Sequence, residues 1–296
     1  MRVIWNYQRH PTYEEAQALY APILDYSVPA MDIVAQAAGT NDPDKFLYFM
    51  GKAAQIDPSR YLDIADYYRK IHNYDLAATN YELGLSLNPD AVENASRCGW
   101  LMRYYLQKMR TADAHRVADF AGDVYSSAGL QTKAEFFEAT GDYDNAFGWY
   151  VKNEERYDDS LPLINFCLRF KDKTGSTNYD AQLQERVGKI FPKGMEPVTL
   201  KDFGFPSTPP RNGVFFKGEN KLLTDAGMKW GTVVVAINGT RIHNFVQYRY
   251  VRDSGNFTNL DLIVWQGGRY REFTPNPPNH LFGVEMGDYP PKAERR

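Results

Sequence analysis

The residues of this chain with side chains suited to chemistry are five histidines, two cysteines and the acid pairs Glu154-Glu155 and Asp158-Asp159. Histidines can ligate metal or move protons when they share a face with other ligands. His10, His72, His115, His243 and His280 are scattered, with neither the i, i+4 spacing nor the Cys-x-x-Cys spacing that achieves this, so no metal site is expected. Cys98 and Cys167 lie in apolar, helix-like stretches and read as buried thiols. The acid pairs fall at the polar end of a helix-like stretch and read as solvated surface. No Gly-x-Ser-x-Gly elbow, Gly-rich phosphate loop, Gly-x-Gly-x-x-Gly fingerprint or His-Glu-x-x-His helix occurs. The expectation is therefore no catalytic residue, no cofactor and no enzyme. The sequons at Asn94, Asn238 and Asn256 are short enough to arise by chance and carry no weight here.

Composition narrows the class further. A chain of 296 residues exceeds what one core usually organises, which points to about two domains. With 43% hydrophobic and 24% charged residues it has the make-up of a folded globular protein. A net charge of -3 supplies no basic field for phosphates, so nucleic acid is not an expected partner. No apolar run approaches the ~20 residues that span a bilayer, and Met1 to His10 lacks a signal-like apolar core, so no membrane insertion is expected. The chain reads as soluble as given; its compartment stays open, bacterial cytoplasm or periplasm if it is a piece of a longer protein.

Internal repetition is the main organising signal. Pro58 to Ala91 reads PSRYLDIADYYRKIHNYDLAATNYELGLSLNPDA, with Tyr61, Ala65, Tyr68, Ala77, Tyr81, Gly84 and Pro89 at regular positions. Two short helices that cross tightly need small residues where backbones touch and aromatic residues beside them; Ala65, Ala77 and Gly84 are the small ones. Asn73-Tyr74-Asp75 supplies the turn, and Asn88-Pro89-Asp90 the stop. A second copy spans about Ser127 to Ser160, with Leu130, Ala134, Phe137, the turn Gly141 to Asp144, Ala146 and Tyr150. Between them, Val92 to Ser126 keeps the small residues but with about three extra residues, which predicts a longer turn around Met109 to Asp113. Asp44 to Pro58 reads as the second helix of a degenerate repeat. The pattern resembles the tetratricopeptide repeat, which implies an α-solenoid over 28–160 after an N-terminal helical segment, 1–27. Leu161 to Phe170 and Tyr179 to Phe191 lack the consensus residues and are expected to cap the array within 161–193.

The same resemblance implies a concave groove lined from the first helix of each repeat. The matching positions are Ser59, Leu62, Asp66 and Arg69, then Glu93, Ser96, Trp100 and Arg103, then Ala128, Gln131, Glu135 and Glu138. The Lys and Asn set with which some relatives clamp a chaperone tail is absent, so that activity is not carried over. Trp100 with Arg103 is the expected hot spot, since Trp and Arg dominate binding energies; the other reading of Trp100 is packing between repeats.

From Gly194 to the end the composition shifts to Gly, Pro and β-formers, and residues 194–296 are expected to form a second domain. The run from Asp225 to Ile242 is the most informative. Ala226-Gly227 should end a short helix, Val233 to Ile237 should be a buried strand, and Asn238-Gly239 a tight turn needing positive φ. Asn244 to Ser254 suits a helix, and Leu260 to Trp265 with Tyr270 to Thr274 a hairpin turned at Gly267-Gly268. This order resembles a PDZ domain of the bacterial, protease-associated type, whose segment reads A-G-L-x-x-G-D-x-I-x-x-I-N-G-x-x-V. The fold class is thus α then mostly β, a solenoid plus a small PDZ-like β-rich domain.

The PDZ resemblance implies a carboxylate-binding loop at Asp202-Phe203-Gly204-Phe205, with Asn244, Tyr248 and Val251 of the following helix facing a peptide groove. Pro206, Pro209 and Pro210 interrupt the strand that should donate to the peptide, and Thr232 replaces the usual Asp, so the domain reads either as a peptide binder or as a structural docking module. Asn279 to Glu285 is expected to add a strand, in one reading across that groove. The expected function is a non-catalytic scaffold or adaptor that docks protein or peptide partners. The alternatives are a substrate-recruiting part of a bacterial protease or secretion assembly, or a fixed subunit of a large complex.

Overall fold

The computed structural model describes residues 11–39, 42–204, 208–255 and 257–289. Two compact units divide the chain between Asp158 and Asp159.

In the first unit the helices are α1 (Tyr13–Tyr20), α2 (Val28–Ala38), α3 (Pro43–Ile56), α4 (Arg60–Lys70), α5 (Tyr74–Leu87), α6 (Ala91–Gln107), α7 (Thr111–Val124), α8 (Ser127–Thr140) and α9 (Tyr143–Tyr157). Their starts are chemically marked. Thr12, Ser27, Asp42, Asn73, Asp90, Ser126 and Asp142 each accept a backbone N–H of the first turn through the side-chain oxygen. Short turns then fold consecutive helices back on each other, so α2/α3, α4/α5, α6/α7 and α8/α9 pack as adjacent pairs. Tight crossing depends on small residues. Gly84 of α5 lies against the Leu62 side chain of α4, and Gly129 of α8 lies against the Ala121 carbonyl of α7. Leu62, Ala65, Tyr81, Leu101, Met102, Val117, Ala121 and Phe136 share one core, and Met31, Val34, Phe49 and Met50 share another. Each fully buried Leu or Phe of such a core contributes about 2 kcal/mol.

The extra residues of the middle pair do not form the long turn expected from the sequence. They lengthen α6 to 17 residues, and α7 begins at Thr111 after a turn in which Met109 takes φ 59°. Continuing the α6 hydrogen-bond ladder satisfies the backbone that a longer loop would have left to water.

The second unit holds α10 (Leu161–Thr174), α11 (Asp180–Ile190), β1 (Gly213–Phe216), α12 (Lys221–Asp225), β2 (Val233–Ile237), β3 (Thr240–Arg241), α13 (Phe245–Ser254), β4 (Leu262–Gln266), β5 (Arg269–Phe273) and β6 (Met286–Tyr289). The sheet is antiparallel in order β5-β4-β2-β1-β6, with β3 on β2. Positive φ at Asn238 (48°) and Gly239 (72°) makes the β2–β3 turn, and Gly267 (61°) and Gly268 (78°) make the β4–β5 turn. One sheet face packs Val214, Phe216, Val234 and Val264 against Tyr248 and Val251 of α13. Leu161, Ile164, Ile190 and Phe191 belong to that same core. α10 and α11, read from the sequence as a cap for the helical array, thus bury their apolar stripe with the sheet. The opposite face packs Val233, Val235 and Ile263 with Val198, Phe203 and Tyr270.

The expected strand at 279–285 is not formed. That stretch holds a short 3-10 turn at Pro278–His280 and a bend with Gly283 at φ 66°, and the strand starts at Met286. Positive φ at His280 (58°) and Gly283 (66°) turns the chain within this stretch, so extended pairing begins only after it.

Candidate functional site

On the first unit, the positions expected to line a groove are tied to one another. Asp66 of α4 accepts from the Tyr81 hydroxyl of α5, lies 3.2 Å from an Arg97 Nη of α6 and 3.3 Å from an Arg69 Nη one turn on. Arg103 of α6 reaches Glu135 of α8 at 2.5 Å. Neighbouring helices are therefore joined by charge pairs across the face. Gln131 donates to the Ser127 hydroxyl at 3.1 Å, and the Ser96 hydroxyl donates to the Glu93 carbonyl at 2.6 Å.

Leu62 is a correction. It is wholly buried, wedged against Gly84 in the core, and cannot face a groove; the α4/α5 crossing needs its branched side chain as the knob opposite a glycine. Trp100 is half-buried on the rim of that core. Its ring centroid is 5.3 Å from Tyr81, 5.3 Å from Tyr104 in a stack, and 6.0 Å from Tyr74. It packs between helix pairs and stays partly exposed.

Asp66 and Arg69 also open onto a cavity of about 560 Å³ that the sequence did not reveal, lined with Gln36, Phe46, Asp63, Tyr67 and Lys70. Its lining combines the Phe46–Tyr67 ring stack, with centroids 4.6 Å apart, with the charged side chains of Asp63, Asp66, Arg69 and Lys70. Burial holds the Asp63 carboxyl above the ordinary range, against the opposing pull of Arg60. A sequence signal existed only in part: Phe46 belongs to a different helical hairpin from Tyr67, so their meeting depends on how pairs stack.

In the second unit the expected peptide groove is not assembled from the residues assigned to it. Tyr248 and Val251 are buried at 1% and 5% exposure in the core under α13. Asn244 caps α13, its side chain accepting the Gln247 N–H at 2.9 Å. Asp202 accepts from the Thr199 N–H at 2.6 Å and from its hydroxyl at 2.9 Å, contacts that hold its carboxyl below the usual range. The Phe203 ring lies 4.8 Å from Tyr270 with the Arg241 guanidinium over it, on the sheet face opposite α13. Gly204 ends the 3-10 turn at φ 67°. Loop and helix are thus on different faces, because period-2 alternation sends Val233 and Val234 to opposite sides and each face recruits its own cover. Phe205 and Pro206 lie outside the described residues. Pro209 and Pro210 precede β1 without strand pairing, and Thr232, in place of an acid, donates to the Gln266 side chain.

Among the described residues, no three His, Cys, Asp or Glu side chains converge as metal ligands, and no helix is long and apolar enough to cross a membrane. Asn94 is buried against Asn88, which explains that sequon as packing. Comparison with protein-family models and with curated proteins finds no match to this chain.

Proposed function

We propose that the chain is a non-catalytic scaffold whose tetratricopeptide-like array docks a protein partner and whose PDZ-like unit acts as a docking module. The observation that carries this reading is the cavity at Asp66 and Arg69. A stacked aromatic pair beside two acids and two bases supplies the mixed apolar and polar chemistry of a protein-binding hot spot. An extended partner segment that places one apolar side chain on Phe46 and Tyr67, flanked by a charge of either sign, fits this chemistry. Trp100, partly exposed on the next helix pair, adds a second contact.

The test is affinity capture with the intact chain beside the double variant Arg69→Gln/Lys70→Glu and the variant Trp100→Ala. Lys70 is exposed and glutamine at 69 sets no second carboxylate beside Asp66, so the fold should survive, as circular dichroism would confirm. Loss of a captured partner by the double variant supports the array as the recognition surface. An unchanged set of partners from all three chains removes that role. The burial of Tyr248 and Val251 favours a second reading of the PDZ-like unit, in which it joins a neighbouring subunit through its surface and not through an open groove.

A further inference from the structure

The strand that completes the sheet beside β1 comes from the far end of the described chain. β6 pairs antiparallel with β1 in the register Gly213↔Tyr289, Val214↔Asp288, Phe215↔Gly287 and Phe216↔Met286, and the Lys217 N–H extends the ladder to the Glu285 carbonyl at 2.8 Å. We propose that the outer edge of β1, together with the first turn of α13, is a strand-accepting site held in cis by Glu285–Tyr289. In its place the site takes an extended partner segment with the same order of small residue, carboxylate and aromatic ring. The proposal deepens the reading of the second unit as a docking module and is independent of the cavity on the array.

Each position of the resident segment is read by a distinct contact. Asn244 spends its side chain on the Gln247 N–H, so the Phe245 N–H needs another acceptor, and Asp288 Oδ1 supplies it at 2.6 Å. A small residue is favoured at the position of Gly287, because a Cβ there would displace the end of the Lys217 side chain, which can swing aside. The Tyr289 ring lies edge-on to Phe215 with centroids 6.4 Å apart, and Glu285 pairs with Lys217 at 2.5 Å. Main-chain pairing gives such a site affinity and these side-chain contacts give it selectivity.

The resident strand is also built to leave. None of the four β6 residues is fully buried, whereas all five of β2 are. Phe282 stays in the core and its carbonyl accepts from Asn220 Nδ2 at 2.6 Å, while Gly283 at φ 66° separates this anchor from the strand. The segment after Gly283 can open as a local unit with the anchor in place.

The experiment uses the full chain and a fluorescent peptide of the sequence Val284 to Tyr289. Asp288 is exposed, so Asp288→Ala removes the bond to α13 without disturbing the core; Glu285→Ala, which takes the Lys217 pair from the resident strand and leaves Lys217 to the peptide's own glutamate, is the second variant. Peptide binding is read by anisotropy and strand opening by hydrogen exchange at β1 and β6. The expected result is that both variants take up the peptide about fivefold more tightly than the native chain, the shift that losing one contact of ordinary strength to a competitor produces. A peptide carrying Asp288→Ala should lose that gain. Equal, weak binding to all three chains overturns the proposal. If exchange shows the strand released, β1 is not an acceptor; if exchange at β1 and β6 is as slow as at β2 and β4, the strand is not displaceable.

Discussion

Asp66 on α4 and Arg97 on α6 stand 3.2 Å apart, and the same carboxylate receives the hydroxyl of Tyr81 from α5. One acid therefore links three helices drawn from two helical pairs. Tyr81 is wholly buried, and burial with the adjacent carboxylate pushes its phenol well above the ordinary tyrosine range, so the hydroxyl stays a donor at any physiological pH. Asp66→Ala should destabilise the first unit by about 2 kcal/mol, because it strands a buried hydroxyl and a guanidinium at once, whereas Tyr81→Phe should cost about 1 kcal/mol. Urea titration of both variants measures this. A loss below about 0.5 kcal/mol for Asp66→Ala would show that water replaces the carboxylate and that the link is not structural.

Glycines at helix crossings give a graded prediction. A methyl at Gly129 would run into the Ala121 carbonyl, rigid backbone of α7, whereas one at Gly84 would meet the branched end of Leu62, which can change rotamer. Gly129→Ala should therefore cost about 3 kcal/mol and Gly84→Ala about 1 kcal/mol, after the small gain in helix propensity. Thermal unfolding of the two variants checks the order. The reverse order would mean that α7 and α8 separate more easily than the α4/α5 core repacks.

Much of this architecture was legible because each local signal had one physical solution. Asn73, Asp90 and Asp142 mark helix starts, and Asn238-Gly239 and Gly267-Gly268 specify their turns. The candidate sites were less legible. Position in a repeat suggested that Leu62 faces a groove, yet Gly84, nearly three turns into the partner helix, decides that it is a core knob. Helical spacing put Tyr248 and Val251 on one side of α13 but could not say that the sheet covers that side. The meeting of Phe46 with Tyr67 and of Asp288 with α13 depends on long-range packing, which no local pattern encodes.

Cys98 should be inert in the native chain. It is fully buried, and burial with the nearby Glu82 carboxylate pushes its thiol up to about 12, so almost no thiolate exists at neutral pH. Iodoacetamide labelling followed by peptide mapping should modify Cys98 only as fast as the first unit unfolds, and urea should accelerate it in parallel with loss of helix signal. Rapid labelling in native buffer would mean that α6 opens locally around Cys98.

His243 should make the second unit acid-sensitive. Its Nδ1 lies 3.0 Å from Asn212 Oδ1. Partial burial, then the Arg241 and Lys193 charges, hold its pKa below the usual 6.5, while Glu196 pulls the other way. The unfolded chain therefore binds a proton that the folded chain resists, and stability depends on pH with the sign of that difference. Above about pH 8 both states carry a neutral ring and the group contributes no slope. As pH falls through 6.5 toward the lower folded value, unfolding takes up a proton and stability declines, levelling off once both states are charged. His243→Gln keeps a polar side chain beside Asn212 and removes the titration. The melting temperature of the native chain minus that of the variant, followed from about pH 7.5 to 5, should decline with acid. A difference that stays flat would show that the ring is solvated and the two cations are screened; a difference that rises would show that Glu196 outweighs them.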